Sequence, residues 1–290
     1  MKKKLSIIVL LLIAAFALGA CNGDSGGFNQ NREINIISRE TGSGTRDAFI
    51  ELVGVQERTA DSTVDRTSSE AYIAPGTSIV LSRVETNAYA IGYISLGSLN
   101  DSVRAVPING VLPTVAAVQN GTYPIFRAFN LAVPAEISDL TQDFIDFVLS
   151  AEGQAVVEGR RYVPVTPNAP AYGGPHGMTG TVVVLGSTSV APVMEHLKEA
   201  YEAMNPGVTI EVQSAGSSAG INAARDGLAD IGMSSRELTN AELAVLASIP
   251  MAFDGVAVIV HNDNPISTLT IEQVRQIFVG DINRWSGVNE

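Results

Sequence analysis

Four short stretches of this sequence place serine, threonine and glycine where a strand-like run gives way to a helical pattern. They are RETGSGT at 39–45, GSTSV at 186–190, SAGSSAG at 214–220 and MSSRE at 233–237. Such residues are common N-caps, and any one stretch is more typical of a cap than of a binding site. Helix N-termini offer free N–H groups and partial positive charge, so four converging on one point predict a small-oxyanion site.

Arg39 stands at the start of the first stretch. Its guanidinium offers paired donors that suit a tetrahedral oxyanion, although a surface carboxylate is an alternative partner. A micromolar receptor needs about 8 kcal/mol of binding free energy. Each hydrogen bond to a charged group supplies roughly 1.5 to 3 kcal/mol, so a handful of donors is enough even after the entropic cost of association.

A serine hydrolase is the rival interpretation. Gly216–Gly220 matches G-x-S-x-G between a strand and a helix, with Ser218 as the nucleophile. A downstream histidine is then required, and His261 follows Asp254 across a strand-like run, so the two side chains need not converge. The glycine loops lack the lysine of a nucleotide phosphate loop, and one cysteine with three scattered histidines disfavours a metal site.

The elements that must position these stretches alternate between strands and helices. Strand-like runs occupy 34–38, 90–95, 181–186, 209–214 and 255–260, and helical patterns occupy 46–54, 139–159 and 192–204. Pro192 suits a first helical turn, and Thr239 with Glu242 suits a capping box. The pattern predicts an α/β fold. Residues 162–180 are rich in proline and glycine without an apolar period, which predicts a surface linker.

The N-terminus is typical of an exported protein. Lys2, Lys3 and Lys4 precede an apolar run that is shorter than the roughly 20 residues that span a bilayer, which predicts a signal peptide over 1–20. The residues up to Cys21 resemble a lipobox, so Cys21 is predicted to be lipidated, the alternative being an incidental free thiol. An acyl chain would anchor the protein without spanning the membrane, and residues 21–32 form a flexible tether.

The net charge of −12 argues against nucleic acid as a partner, because nucleic-acid-binding proteins neutralise phosphates with basic patches. The same overall field repels a free anion. An anion must therefore be held by local dipoles and hydrogen bonds.

The motifs in combination resemble the PstS-type phosphate-binding proteins of ABC importers. The resemblance rests on GSTSVAPVMEHL, QSAGSSAGI, ADIGMSSREL, FDGVAVIVHNDNP, LTIEQVRQIFVGDINRWS, RETGSGTRDAF, YAIGYISLGSL and SAEGQAVVEGRRYVPV, which cover almost the whole mature chain. It implies a two-lobed periplasmic-binding-protein fold of type II, with crossing hinge strands and the ligand between the lobes. The motif order is rotated relative to the family, so the chain is interpreted as a circular permutant joined through 162–180.

Carried over, the resemblance implies one continuous lobe at 129–260 and a second, discontinuous lobe at 33–127 plus 261–290. It also implies the phosphate ligands. These are Thr188, Ser189, Ser217 and Ser235 from the first lobe and Arg39, Ser43, Gly44 and Thr45 from the second. Many family members have an aspartate at position 235, where it accepts the proton of hydrogen phosphate and repels sulfate. With serine there, Asp254 or Glu40 is the candidate proton acceptor, and selection against sulfate stays open.

The resulting hypothesis is a lipid-anchored, extracytoplasmic receptor, monomeric and without cofactor or catalysis, that passes phosphate to an ABC permease. A receptor for another oxyanion, such as sulfate or molybdate, is the nearest alternative. A serine hydrolase using Ser218 is further away, as is an adhesion or signalling module that binds no small anion.

Overall fold

A computed structural model of the chain describes residues 27–59, 62–174 and 177–289. The predicted signal peptide at 1–20, Cys21 with its predicted lipidation, and the first part of the tether lie outside these residues. Among the described residues, no helix has the length and apolar character needed to cross a membrane.

Strands and helices alternate along the described chain, as the α/β pattern predicts. The strands are β1 Asn35–Arg39, β2 Gln56–Arg58, β3 Thr63–Asp65, β4 Tyr72–Ala74, β5 Ala90–Ser95, β6 Arg104–Ala105, β7 Phe126–Pro134, β8 Val163–Pro164, β9 Gly180–Gly186, β10 Val208–Ser214, β11 Ile231–Ser234 and β12 Leu246–Val260. The helices are α1 Gly44–Val53, α2 Thr77–Glu85, α3 Val115–Gln119, α4 Asp139–Leu149, α5 Ala151–Gly159, α6 Ala191–Met204, α7 Ser217–Arg225, α8 Asn240–Leu243 and α9 Ile271–Val279. Short 3₁₀ helices occupy Leu96–Ser98 and Trp285–Asn289.

Within the described residues, ten strands join in one mixed sheet. Its order is β10-β9-β11-β7-β12-β5-β1-β4, with β6 and β8 each paired to β12. β9 runs parallel to β10 and β11, and β1 runs parallel to β4 and β5. The long strand β12 is antiparallel to both β7 and β5. It therefore links two groups of parallel strands.

The crossing point lies inside β12. Residues 246–255 pair with β7, whereas Val256–Val260 pair with β5. We call the described residues between 126 and 255 the A half, and those at 31–125 and 256–289 the B half. The predicted lobe of 129–260 was wrong for Val256–Val260, which belong to the B half. The apolar run GVAVIV continues through the crossing without a turn residue, so the sequence carries no local mark of it.

Each half has its own buried core. In the A half, helices α4, α5 and α6 cover β9 and β10 with side chains that include Phe129, Phe144 and Tyr201. In the B half, Phe49 of α1 stacks on Tyr93 of β5 at a centroid distance of 3.9 Å. Separate cores of this kind allow each half to hold its shape on its own.

The helix starts follow the predicted capping chemistry. Thr239 and Glu242 form the predicted capping box at α8, in which each side chain bonds the other residue's backbone N–H. Pro192 lies in the first turn of α6, as predicted. Local side-chain chemistry therefore fixes where these helices begin.

Residues 162–180 are bound to the A half rather than free. Tyr162 is 1 % exposed and Val163–Pro164 form β8 against β12, so the linker prediction was wrong for these residues. Further along, the Tyr172 hydroxyl donates to Asp143 Oδ2 at 2.6 Å, and the Ala151 N–H donates to the Pro170 carbonyl at 2.8 Å. The segment thus connects α5 to β9 along the surface of the A half.

The beginning and the end of the folded chain lie side by side. The Ile34 N–H donates to the Asn283 carbonyl at 2.9 Å, and Arg284 Nη1 donates to the Asn31 carbonyl at 3.1 Å. Glu33 and Arg284 form an antiparallel bridge. The two ends are therefore neighbours in the B half.

Candidate anion-binding site

The four stretches that the sequence singled out meet between the two halves, and a fifth loop joins them. Three come from the A half, at the carboxyl ends of the parallel strands β9, β10 and β11, which share one edge of the sheet. The others precede α1 and α2 in the B half. We call the resulting group the cradle. It consists of Arg39, Ser43, Gly44, Thr45, Thr77, Ser187, Thr188, Ser189, Ser217 and Ser235.

Hydroxyl groups from three A-half loops form one hydrogen-bonded row. Ser187 Oγ donates to Ser235 Oγ at 2.9 Å, and Ser217 Oγ lies 3.3 Å from Ser235 Oγ. The Ser235 N–H donates to Ser217 Oγ at 3.1 Å. All three side chains are buried, so they are fixed in place and shielded from solvent.

The B half closes on this row through direct polar contacts. Thr45 Oγ1 lies 2.8 Å from Ser189 Oγ, and Arg39 Nη2 donates to Thr188 Oγ1 at 3.0 Å. The cradle thus contains neutral hydroxyls from both halves and one guanidinium. That composition suits a small oxyanion, which accepts hydrogen bonds on every side.

Arg39 is the cation of the cradle and is only 1 % exposed. Its Nε and Nη2 each donate to the Glu40 carboxylate at 2.8 Å, and its Nη1 donates to Thr77 Oγ1 at 3.3 Å. Bidentate pairing with Glu40 fixes the plane of the guanidinium. The neighbouring carboxylate also places a negative charge beside the cradle.

Thr77 belongs to the cradle although the sequence interpretation missed it. Its Oγ1 lies 3.2 Å from Ser189 Oγ and 3.3 Å from Thr188 Oγ1, bridging the halves. A signal was present, because Gly76 and Thr77 directly precede the helical pattern of α2. The same rule that selected the other loops would have found this one.

The remaining predicted B-half residues are also in place. Ser43 is the N-cap of α1, and its Oγ accepts from the Arg46 N–H at 3.3 Å, so this hydroxyl serves the helix. Gly44 opens α1 so close to the A half that a Cβ there would overlap Ser217 Oγ and lie 2.8 Å from Ser235 Oγ. Glycine is required at this position for the two halves to approach.

Comparison with known proteins supplies the family. The profile described as PBP superfamily domain matches residues 12–152 and 167–289. Phosphate-binding protein PstS 2 of Streptococcus pneumoniae serotype 4 is 42% identical over 288 residues, which is 99% of this chain and 99% of the relative. The chain belongs to the PstS-type family of the PBP superfamily.

Other PstS-type relatives agree. PstS 2 of Streptococcus agalactiae serotype V is 43% identical over 296 residues, covering 99% of this chain and 100% of the relative. The crystal structure of a phosphate ABC transporter phosphate-binding protein from S. pneumoniae TIGR4 superposes with a TM-score of 0.72 at 44% identity, covering 89% of this chain and 100% of that one. The predicted two-lobed α/β fold is confirmed. These relatives align over nearly their whole length, so they share its motif order.

Asp254 was predicted as a proton acceptor in this PstS-type site, but its printed contacts lie elsewhere. It sits on β12 beside the crossing point, where Oδ2 lies 3.1 Å from Arg127 Nη2 and Oδ1 accepts from Ser95 Oγ at 2.8 Å. No hydrogen bond among the described residues joins it to the cradle. Burial raises the pKa of Asp254 to about 6, although Arg127 and Ser95 oppose that rise.

This raised pKa predicts a specific pH dependence of stability. The folded-state pKa exceeds the ordinary value of 3.8, so the stabilising contribution is complete below about pH 4 and is lost as pH rises through about 6. Asp254→Asn removes this titration. Denaturant unfolding of both proteins between pH 4 and 7.5 is expected to show wild type losing roughly 2 to 3 kcal/mol relative to the variant across that window. A difference that is constant with pH would contradict the raised pKa.

The rival chemistries gain no support from the described geometry. Ser218 Oγ accepts from Arg236 Nη2 at 3.4 Å, whereas His261 and His196 bond Asp263 and Glu199. His176 lies outside the described residues. Within 27–59, 62–174 and 177–289, no group of three or more metal-ligating side chains is assembled.

Proposed function

We propose that this chain binds inorganic phosphate outside the cytoplasm and delivers it to the membrane subunits of an ABC importer. The observation that carries the proposal is the cradle, in which the buried Arg39 and hydroxyls from both halves converge on one point. Its PstS-type relatives bear the name phosphate-binding protein. No cofactor and no catalytic step are needed for this task.

The proposed phosphate ligands are those that the family resemblance implied, with Thr77 added. Arg39 supplies charge-assisted N–H donors, and Thr45, Thr77 and Ser189 supply hydroxyls where the halves touch. Ser217 and Ser235 supply donors from the A half, assisted by free N–H groups at the start of α7. The hydroxyls rotate, so contacts now made between side chains can turn toward a bound anion.

Because donors come from both halves, a bound phosphate would link them. The halves have separate cores and are joined by the crossing strands β7 and β12, which suit a hinge. Closure around a ligand is a known motion of proteins with this architecture. A permease could then distinguish the closed, loaded form from the open one.

Selection of phosphate over sulfate is the finest part of the proposal. Sulfate carries no proton at neutral pH, so a carboxylate at the site would reject it by charge. With serine at position 235 and Asp254 paired to Arg127, Glu40 is the carboxylate beside the cradle, bound to Arg39 at 2.8 Å. We propose that Glu40 supplies this discrimination.

Calorimetric titration of the purified, anion-stripped protein with phosphate and with sulfate, at pH 6 and pH 8, tests the function. Phosphate is expected to bind with micromolar affinity or better, which corresponds to about 8 kcal/mol or more, and sulfate much more weakly. Glu40→Gln should narrow the gap between the two anions. No response to phosphate would refute the function, and equal binding of both anions in the wild type would refute the selectivity.

The cellular setting is part of the same proposal. A signal peptide over 1–20 and a lipidated Cys21 would hold a monomeric receptor on the outer face of the cell membrane, next to its permease. The sequence before residue 27 supports this setting through its basic start, apolar run and lipobox-like end.

We also propose that the motif order arose by circular permutation. The folded chain starts and ends at hydrogen-bonded neighbours, Ile34 and Asn283, as expected where a continuous connection has been opened. Residues 162–180 would join the family's usual ends. In this arrangement the A half is the continuous lobe and the B half is the discontinuous one.

A further inference from the structure

One ion pair joins the two halves outside the cradle. Arg236 Nε lies 3.1 Å from Asp47 Oδ2. Arg236 follows β11 in the A half, and Asp47 lies in the first turn of α1 in the B half. Both line a surface cavity of about 540 Å³, and no cradle residue is among the described residues around it. The pair is therefore free to form while an anion occupies the cradle.

The A half holds Arg236 in a fixed orientation. Its Nη1 and Nη2 each donate to the Glu242 carboxylate at 2.8 Å. Glu242 is itself held by the α8 capping box, where it accepts from the Thr239 N–H at 2.7 Å. These bonds keep the pKa of Glu242 low, at about 2. A guanidinium fixed in this way loses little further freedom when it meets Asp47, unlike an isolated surface pair.

A second contact across the halves lies next to this pair. The Ser218 N–H donates to the Gly42 carbonyl at 3.1 Å, and Arg236 Nη2 reaches Ser218 Oγ at 3.4 Å. Arg236 thus connects the start of α7, the start of α8 and the first turn of α1. All three come together only when the halves are closed.

We infer that the Asp47–Arg236 ion pair is a latch that holds the two halves closed over the bound anion, an inference that rests on the proposed phosphate function. Asp47 and Arg236 act here as positioning residues. The latch forms only in the closed state, so it slows opening and ligand release. It leaves the encounter of anion and open protein unchanged.

Asp47→Asn tests the latch by removing the charge with little change of shape. We expect phosphate to dissociate about two- to fivefold faster, with an unchanged association rate constant, in stopped-flow measurements. Glu272→Gln is the matched control, because it removes a carboxylate from an arginine pair within the B half, Arg275 to Glu272 at 2.7 Å. An unchanged dissociation rate in Asp47→Asn would overturn the latch.

A double-mutant cycle separates the latch from a purely local role of Asp47 at the start of α1. In the Arg236→Gln background the ion pair is already lost, so Asp47→Asn should have no further effect on dissociation. An acid that only stabilises the helix N-terminus would act equally in both backgrounds. Additive effects would therefore overturn the inference.

Small-angle X-ray scattering without added phosphate separates failure of the latch from failure of the proposed function. Asp47→Asn is expected to increase the radius of gyration relative to wild type and to Glu272→Gln. That increase in a protein that binds no phosphate would support the latch and refute the phosphate function. Tight phosphate binding with identical scattering and identical dissociation rates would refute the latch alone.

Discussion

Arg39→Lys is expected to weaken phosphate binding about 10- to 100-fold, because lysine keeps the charge but loses the paired N–H donors. A hydrogen bond to a charged group contributes roughly 1.5 to 3 kcal/mol, which sets this range. Arg39→Ala also removes the charge and leaves Glu40 without its partner, so a loss on the order of 1,000-fold is expected. Calorimetric titration with phosphate measures both.

Arg275→Lys is the control for this substitution, because Arg275 pairs with Glu272 on the surface of α9, away from the cradle. Its phosphate affinity should match wild type. Thermal unfolding of each variant shows whether the fold is retained. If folded Arg39→Lys bound phosphate within twofold of wild type, Arg39 would not be the anion's principal partner.

Gly44→Ala is expected to weaken phosphate binding roughly 5- to 100-fold by keeping the cleft from closing fully. The added Cβ would overlap Ser217 Oγ and lie 3.0 Å from Ser217 Cβ. Rotating the serine hydroxyls would relieve part of the overlap, but it would also turn two donors away from the anion. Overpacking of this kind costs about 1 to 3 kcal/mol, which gives the expected range in affinity.

Stability and affinity should respond differently to Gly44→Ala. Alanine favours a helix over glycine, so α1 itself is not weakened and the ligand-free melting temperature should not fall. Gly159→Ala is the matched control, since Gly159 ends α5 with open space around its would-be Cβ. Binding by Gly44→Ala that equals that of the control would show that the halves do not approach this closely around phosphate.

Much of the local structure followed from short-range patterns. The capping box at Thr239 and the proline in the first turn of α6 depend on neighbouring residues alone, and both are present. The serine and glycine loops were recognisable because the residues that start a helix are also those that leave donors exposed. Thr77 obeys the same rule and was missed only because its loop was not inspected with the others.

Other features had no local signal. β12 passes from one half to the other within a continuous apolar run, so the sequence suggested a boundary at its end rather than inside it. Asp254 looked like a candidate proton acceptor, but its partners are Arg127, more than a hundred positions away, and Ser95, still further away along the chain. Only the pairing of β12 with β7 and β5 brings these side chains together.

The sequence by itself determined the α/β class, the helix starts and the kind of ligand that their donors suit, because these depend on interactions between residues close along the chain. The tertiary structure alone decided which donors face one another. Thr45 meets Ser189 and Arg236 meets Asp47 only because the crossing strands fold the B half onto the A half. The cradle and the latch are therefore properties of the closed fold, since each needs side chains from both halves at hydrogen-bonding distance.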